Sequence, residues 1–184
     1  DIADPTDHFN PVIYTGAGYP TAVTGVGFQP DFVWIKRRNA VTMHDLFDSL
    51  RGGSSILDSA SVGGASTVSG ALTFDSDGFT AAVDPESGDT GSSGNTFVSW
   101  NWKAGTTFDP TTDGTITTAS GSKNVDAGFS IISYTGTGSA VTVGHGLSKA
   151  PELIITKKTP TPTPSNRDWF VAATPMGTGN TVLV

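Results

Sequence analysis

Cysteine is absent from this chain, so no disulfide can close it and no thiolate metal site can form. Any stability must come from packing or from association with other chains. Charge is scarce as well. Asp, Glu, Lys and Arg supply 15% of the 184 residues, against about 25% in an average globular protein. The shortage is greatest for cations, with ten Lys and Arg against seventeen acids, a net charge of −7 and a pI of 4.6. Affinity for nucleic acid is drawn from cations that neutralise phosphates, so this balance argues against a nucleic-acid partner. The one basic cluster, Lys36-Arg37-Arg38, ends a strand-like run and reads as a solvated strand end. No apolar run approaches the ~20 residues of a membrane span, and no charged-then-apolar leader opens the sequence. Membrane insertion is therefore not expected. Helical periodicity is missing too. Only residues 43–51 could form a helical turn, and Gly52-Gly53 cuts that stretch short, so strand or a single turn is expected there.

What the chain has in abundance is turn chemistry and β-formers. Glycine numbers 23, and a count of Ser and Thr reaches about a quarter of the residues. Short runs rich in Val, Ile, Phe and Trp lie between these polar stretches, as pleated, half-buried strands require. Strands are predicted at 9–14, 22–26, 31–37, 55–58, 71–74 and 78–84, with a small one at 115–118. The run from Phe97 to Lys103 is the clearest of all. There Val98, Trp100 and Trp102 share one face, and Phe97, Ser99, Asn101 and Lys103 the other. The apolar Trp face reads as core, and Trp34 and Trp169 read as core too. A competing reading makes Trp100 and Trp102 a sugar-stacking platform, which requires their indoles to be accessible.

The chain also repeats itself. Phe9 answers Phe129, Tyr14 answers Tyr134, and Tyr-Thr-Gly-x-Gly stands at both 14–18 and 134–138, each 120 positions apart. Farther on, Pro30-Asp31 matches Pro151-Glu152, Lys36 matches Lys157, Asp45-Leu46-Phe47 matches Asp168-Trp169-Phe170, and Ser55-Ile56-Leu57 matches Thr181-Val182-Leu183. Repetition at a fixed period marks an array of like units, which serves more often as scaffold or binding surface than as a catalytic centre. The predicted organisation is an N-terminal arm at 1–8, a complete unit at 9–107, a Thr/Ser/Gly-rich connector at 108–126 and a partial second unit at 127–184 that repeats 9–57. The expected fold is an all-β antiparallel sandwich, jelly-roll-like. The first residue, Asp1 rather than Met, suggests a processed product or a piece of a longer chain. Unit two lacks a counterpart of the 97–103 strand, so a sheet edge is expected to stand open there. Pro160, Pro162 and Pro164 form an insertion relative to unit one and predict a stiff extended loop.

No motif in the chain points to chemistry. Asp75-x-Asp77-Gly78 resembles the start of a calcium loop, with Glu86 at the twelfth position, but Phe79–Val83 reads as strand and would carry Glu86 away. A plain Asp-Gly turn between strands is the better reading. Gly-x-Gly pairs at 16–18, 25–27, 136–138, 144–146 and 177–179 lack the third glycine and helix of a dinucleotide site and read as turns. His8, His44 and His145 have no second ligand at metal spacing. Asp84, Glu86 and Asp89 in a glycine-rich loop at 85–95 read as solvated acids, although a β-sandwich hydrolase with two carboxylates ~5–10 Å apart remains an alternative. No catalytic residue, metal site or cofactor is expected.

Several of these strings in order resemble a domain in virion proteins of marine and cyanobacterial tailed phages. They are the Tyr-Thr-Gly-x-Gly turn, Gly-Phe-x-Pro-Asp-Phe-Val-Trp-Ile-Lys at 27–36, His-Asp-Leu-Phe-Asp-Ser-Leu-Arg-Gly at 44–52, Asp-Gly-Phe-Thr at 77–80, Phe-Val-Ser-Trp-Asn-Trp-Lys-Ala-Gly at 97–105 and Asp-Ala-Gly-Phe-Ser-Ile-Ile-Ser-Tyr-Thr-Gly at 126–136. The resemblance runs from Phe9 to the end, and such proteins are labelled tail-fibre-like or structural with no assigned activity. It implies a non-enzymatic virion component (tail fibre, adhesin or capsid decoration) on an extracellular particle. Other virion proteins, further copies of itself as a trimer or higher ring, and a host-surface glycan are the partners implied. A carbohydrate-binding module of a secreted or surface protein is the alternative.

Overall fold

The computed structural model describes residues 2–85, 88–159, 168–173 and 181–183, the last stretch by its backbone alone. Apart from a 3-10 turn at Pro5–Asp7, every regular element among them is a strand. The fold is an all-β sandwich, as expected. Its larger layer is a six-stranded antiparallel sheet in the order β1-β9-β3-β4-β5-β6, formed by Phe9–Thr15, Thr96–Trp102, Phe32–Arg37, His44–Asp48, Ser55–Asp58 and Ser66–Thr67. The smaller layer is the three-stranded sheet β2-β8-β7, formed by Thr21–Val23, Gly78–Ala81 and Leu72–Asp75.

Side chains alternate across each strand, and the inner face of the large sheet supplies Val33, Ile35, Phe47, Ile56 and Phe97 to one core. Val23, Leu72 and Phe79 close that core from the smaller layer. Tyr14 stacks on Phe97 with ring centroids 5.1 Å apart and meets Phe79 edge-on at 5.9 Å. Burial pushes its phenol well above the ordinary value, so the hydroxyl stays protonated and donates to the Thr90 carbonyl at 2.7 Å.

This packing reverses the expected orientation of β9. Phe97, Ser99 and Asn101 face the core and are wholly buried, while Trp100 and Trp102 lie half-buried on the opposite side. The physical reason is that the β1 neighbour supplies a hydrogen-bonding carbonyl as well as an aromatic ring on the core side. The Asn101 amide nitrogen donates to the Asn10 carbonyl at 2.9 Å and to Ser99 at 3.0 Å, so its donor side is satisfied there, although its Oδ1 is buried without a partner.

The Asp75–Gly78 stretch is the expected turn, and it joins β7 to β8 with Asp75 paired to Gly78. Asp77 reaches out of it to accept from the backbone N–H groups of Gly25 and Gly27, at 3.0 and 2.6 Å, which holds its carboxyl below the ordinary value. Residues 43–51, ambiguous in sequence, contain β4.

Beyond residue 105 two further three-stranded sheets follow. Thr106–Phe108, Ala119–Asn124 and Phe129–Tyr134 form β10-β11-β12, and Leu153–Thr156, Phe170–Ala173 and Thr181–Leu183 form β13-β14-β15. The stretch read as a connector thus carries β11, and the strand expected at 115–118 lies instead at 119–124. Its composition is poor in β-formers, and pairing on both sides makes it a strand: Gly121 faces Ile132 on one side and Phe108 on the other. The two stretches related by sequence share a strand order but not a register: Trp34 faces Leu46, whereas Ile155 faces Val171 and not Trp169, the match of Leu46. β3-β4-β5 and β13-β14-β15 are both antiparallel meanders. Their surroundings differ. β1 and β3 both pair with β9, whereas β12 pairs with β11 and β13 with β14 alone among the described residues. Pro160, Pro162, Pro164, Glu86 and the Gly-x-Gly at 177–179 lie outside the described residues.

Candidate functional site: an aromatic strip on the outer sheet face

The outer face of the six-stranded sheet carries a row of rings set by register. Phe9 and Phe32 both pair with Trp102 across β9, and Trp34 pairs with Trp100. Their centroids follow suit: Trp102 lies 4.7 Å from Phe9, 5.2 Å from Phe32 and 6.2 Å from Phe129, and Trp34 lies 6.0 Å from Trp100 and 5.8 Å from His44. Edge-to-face and tilted contacts at these separations are favourable beyond simple area burial. Phe129 comes from β12, so the Trp102 end of the strip is covered by the second half of the chain.

A second contact from that half covers the other side. Trp169, 9% exposed, packs with Leu46 and Leu57, and Phe32, Trp34 and Ala65 border them. Its indole N–H donates to the Asp58 carbonyl at 3.2 Å. Lys157 lies 5.3 Å from the Trp169 ring centroid and donates to the Ser61 carbonyl at 2.9 Å. Trp169 is core, as expected, although the core it joins is this outer one. Trp34 and Trp100 stay half-buried.

Between Trp34 and His44 the polarity is defined. The Trp34 indole N–H donates to His44 Nδ1 at 2.8 Å, which requires that nitrogen to be unprotonated. Burial first, and the Lys36 charge second, lower the His44 pKa from its ordinary 6.5, in agreement with that bond. The strip is therefore a surface of flat rings suited to stacking and hydrogen bonding, with the His44 imidazole held toward its neutral form.

The buried acids do other work. Asp31 accepts from the backbone N–H groups of Ala104 and Gly105, at 2.9 and 2.7 Å, and from the Ser49 hydroxyl at 2.7 Å. Asp48 binds Arg51 through both its side chain and its backbone N–H. Asp89, read as solvated, is 8% exposed and accepts from Ser92, Gly91, Tyr19, Asn95 and Arg37, the last as an ion pair at 3.1 Å. Burial would raise the Asp89 carboxyl, but the bonds from Ser92, Gly91 and Tyr19 overcome it and hold the group below its ordinary value. Arg37 is thereby tied into the loop, and Lys36 donates to the Arg37 and Ala40 carbonyls and to Thr42. Lys36 and Arg37 are thus bound rather than simply solvated, while Arg38 is exposed, as expected. These carboxylates pin loops to strands. Among the described residues no three His, Cys, Asp or Glu side chains gather as metal ligands. No helix among them is long and apolar enough to cross a membrane.

A second exposed apolar surface was not anticipated residue by residue. Leu153, Ile154 and Ile155 on β13 and Phe170 on β14 are exposed by 58%, 45%, 52% and 44%. The available signal was the match of β13 to β3 without any match to β9.

Residues 4–184 match the model of a family described as a domain of unknown function, DUF7483, and the chain belongs to that family. Neither a curated protein nor a solved structure matches it.

Proposed function

We propose that this chain is a non-enzymatic structural component of a phage particle, a tail-fibre, adhesin or capsid-decoration module. On this reading it sits on the outside of the virion and associates with other virion proteins and with copies of itself. The exposed row Leu153, Ile154, Ile155 and Phe170 is the observation that carries it. Leu153 and Ile155 fall on one face of β13 and Ile154 on the other, and apolar side chains exposed on both faces of a strand mark a place of association. The ordered motifs quoted above, and the use of buried acids as loop pins, support the same reading. Antibody raised against the chain and gold-labelled on intact particles tests it. Label on particles is expected, and antigen confined to the particle-free supernatant would overturn the proposal.

A second reading, a glycan-binding surface, is favoured by the half-exposure of Trp34, Trp100 and Trp102 on one sheet face. A glycan array probed with the chain and with Trp100→Ala tests it. Equal binding by both would end this reading at its named residues.

A further inference from the structure

We infer that the free edge of β13 is a strand-acceptor site for an extended segment of the β9 kind, in which bulky aromatic residues alternate with small polar ones. The inference goes beyond the particle reading and stands without it. Its template lies within the chain. β3 is flanked by β4 on one side and β9 on the other, and β13, its sequence counterpart, has β14 on one side and no partner strand on the other among the described residues. No other stretch of the sequence repeats Phe97–Lys103.

The consequences of that difference are visible side chain by side chain. Val33 and Ile35 are fully buried, whereas Ile154, the counterpart of Val33, is 45% exposed. Asp31 latches the end of β9 by accepting from Ala104 and Gly105 N–H. Glu152 stands at the matching place and is exposed. Ile154 and Glu152 are thus exposed where their matches Val33 and Asp31 are buried against β9. An exposed apolar edge without a neighbouring strand, as β13 shows among the described residues, is what strand addition uses, with backbone bonds giving affinity and alternate side chains giving specificity.

The β3–β9 register also predicts how the segment lies. Phe32 faces Trp102, Val33 faces Asn101 and Trp34 faces Trp100. The incoming strand should therefore run antiparallel to β13, with its first Trp opposite Ile155, its Asn opposite Ile154 and its second Trp opposite Leu153. Glu152 would then accept from the backbone N–H groups that follow the second Trp. The β9 of a second folded copy is an unsuitable donor, because it is already paired on both edges.

The test uses the full chain and a labelled peptide of residues 95–104 bearing a short lysine tail. Saturable binding is expected, with hydrogen exchange slowed at 153–156 and unchanged at 32–37. The same peptide carrying Val98→Pro should bind about tenfold more weakly or worse, since proline removes a ladder donor. Binding that leaves exchange at 153–156 unchanged would overturn the inference, as would no binding or equal binding by the proline peptide. Self-association of the chain that protects 153–156 without peptide would also overturn it, assigning the edge to a second copy. The exchange measurement needs no variant of the chain, so a folding defect cannot confuse the result.

Discussion

Replacing Asp31 by alanine should be among the most damaging single polar changes, and its magnitude can be worked from the bonds it makes. The side chain accepts from Ala104 N–H, Gly105 N–H and the Ser49 hydroxyl, while its backbone N–H donates to the Trp102 carbonyl at 2.8 Å. Alanine keeps the last bond and loses the other three. Gly105 is exposed and Ser49 half-buried, so water can replace Asp31 at both; Ala104 is 3% exposed, so its N–H is left without a partner. One buried orphan donor costs about 1–3 kcal/mol, and the lost charge-assisted bonds raise the total to about 2–4 kcal/mol. For a chain of this size that is a fall in Tm of about 6–12 °C. Asparagine can keep the two amide bonds through its carbonyl oxygen and donate to Ser49, so Asp31→Asn should cost only about 1 kcal/mol. Glu152→Ala, at the matching place in the second stretch, should change stability by less than about 0.5 kcal/mol. Urea unfolding followed by tryptophan fluorescence measures all three. A loss below about 1 kcal/mol for Asp31→Ala, or equal losses at Asp31 and Glu152, would refute the latch and the contrast between the two stretches.

Three further outcomes follow from the same structure. The folded pKa of His44 is depressed, so the unfolded chain binds the extra proton; His44's stabilising contribution should be complete above the ordinary value of 6.5 and be lost as pH falls from there through the lower folded value, and His44→Gln should flatten that part of the urea-midpoint-versus-pH profile. Gly53→Ala would set a Cβ 1.8 Å from the Leu72 carbonyl oxygen and should cost about 2–3 kcal/mol, whereas Gly52→Ala has open space and meets only its positive φ of 79°, at about 1 kcal/mol; thermal melts of the pair separate a backbone clash from a conformational penalty. Phe79→Ala empties the centre of the sandwich core, where Phe79 is fully buried against Tyr14, and should cost about 3–5 kcal/mol by calorimetry.

Much of the fold is legible in the sequence because strands of the first stretch advertise themselves. Phe32–Arg37 and Thr96–Trp102 are rich in β-branched and aromatic residues and are bounded by glycine or proline, and the Asp75–Gly78 turn carries its own chemistry. β11 is not legible, since Ala-Ser-Gly-Ser-Lys-Asn becomes a strand through its partners and not through propensity. The orientation of β9 is misread for a related reason. Two tryptophans on one face outweigh Ser99 and Asn101 by hydrophobicity, but one hydrogen bond to β1, at the Asn10 carbonyl, and one between Asn101 and Ser99 themselves let the smaller polar side be the inner one. The same holds for Asp89, whose glycine-rich loop reads as solvent-facing until Tyr19 and Arg37, distant in sequence, are seen beside it. Alternation locates the aromatic strip on one face, but only the register between β3 and β9 aligns Trp34 with Trp100.

Hydrogen exchange of the chain alone, with no peptide and no variant, is the most direct measurement of the claim that β13 carries an open edge where its sequence match β3 is paired on both sides. β3, held between two strands, should protect residues 32–37 strongly, and β13, held on one side among the described residues, should let residues 153–156 exchange about a hundredfold faster or more. Comparable protection of the two strands would contradict the account.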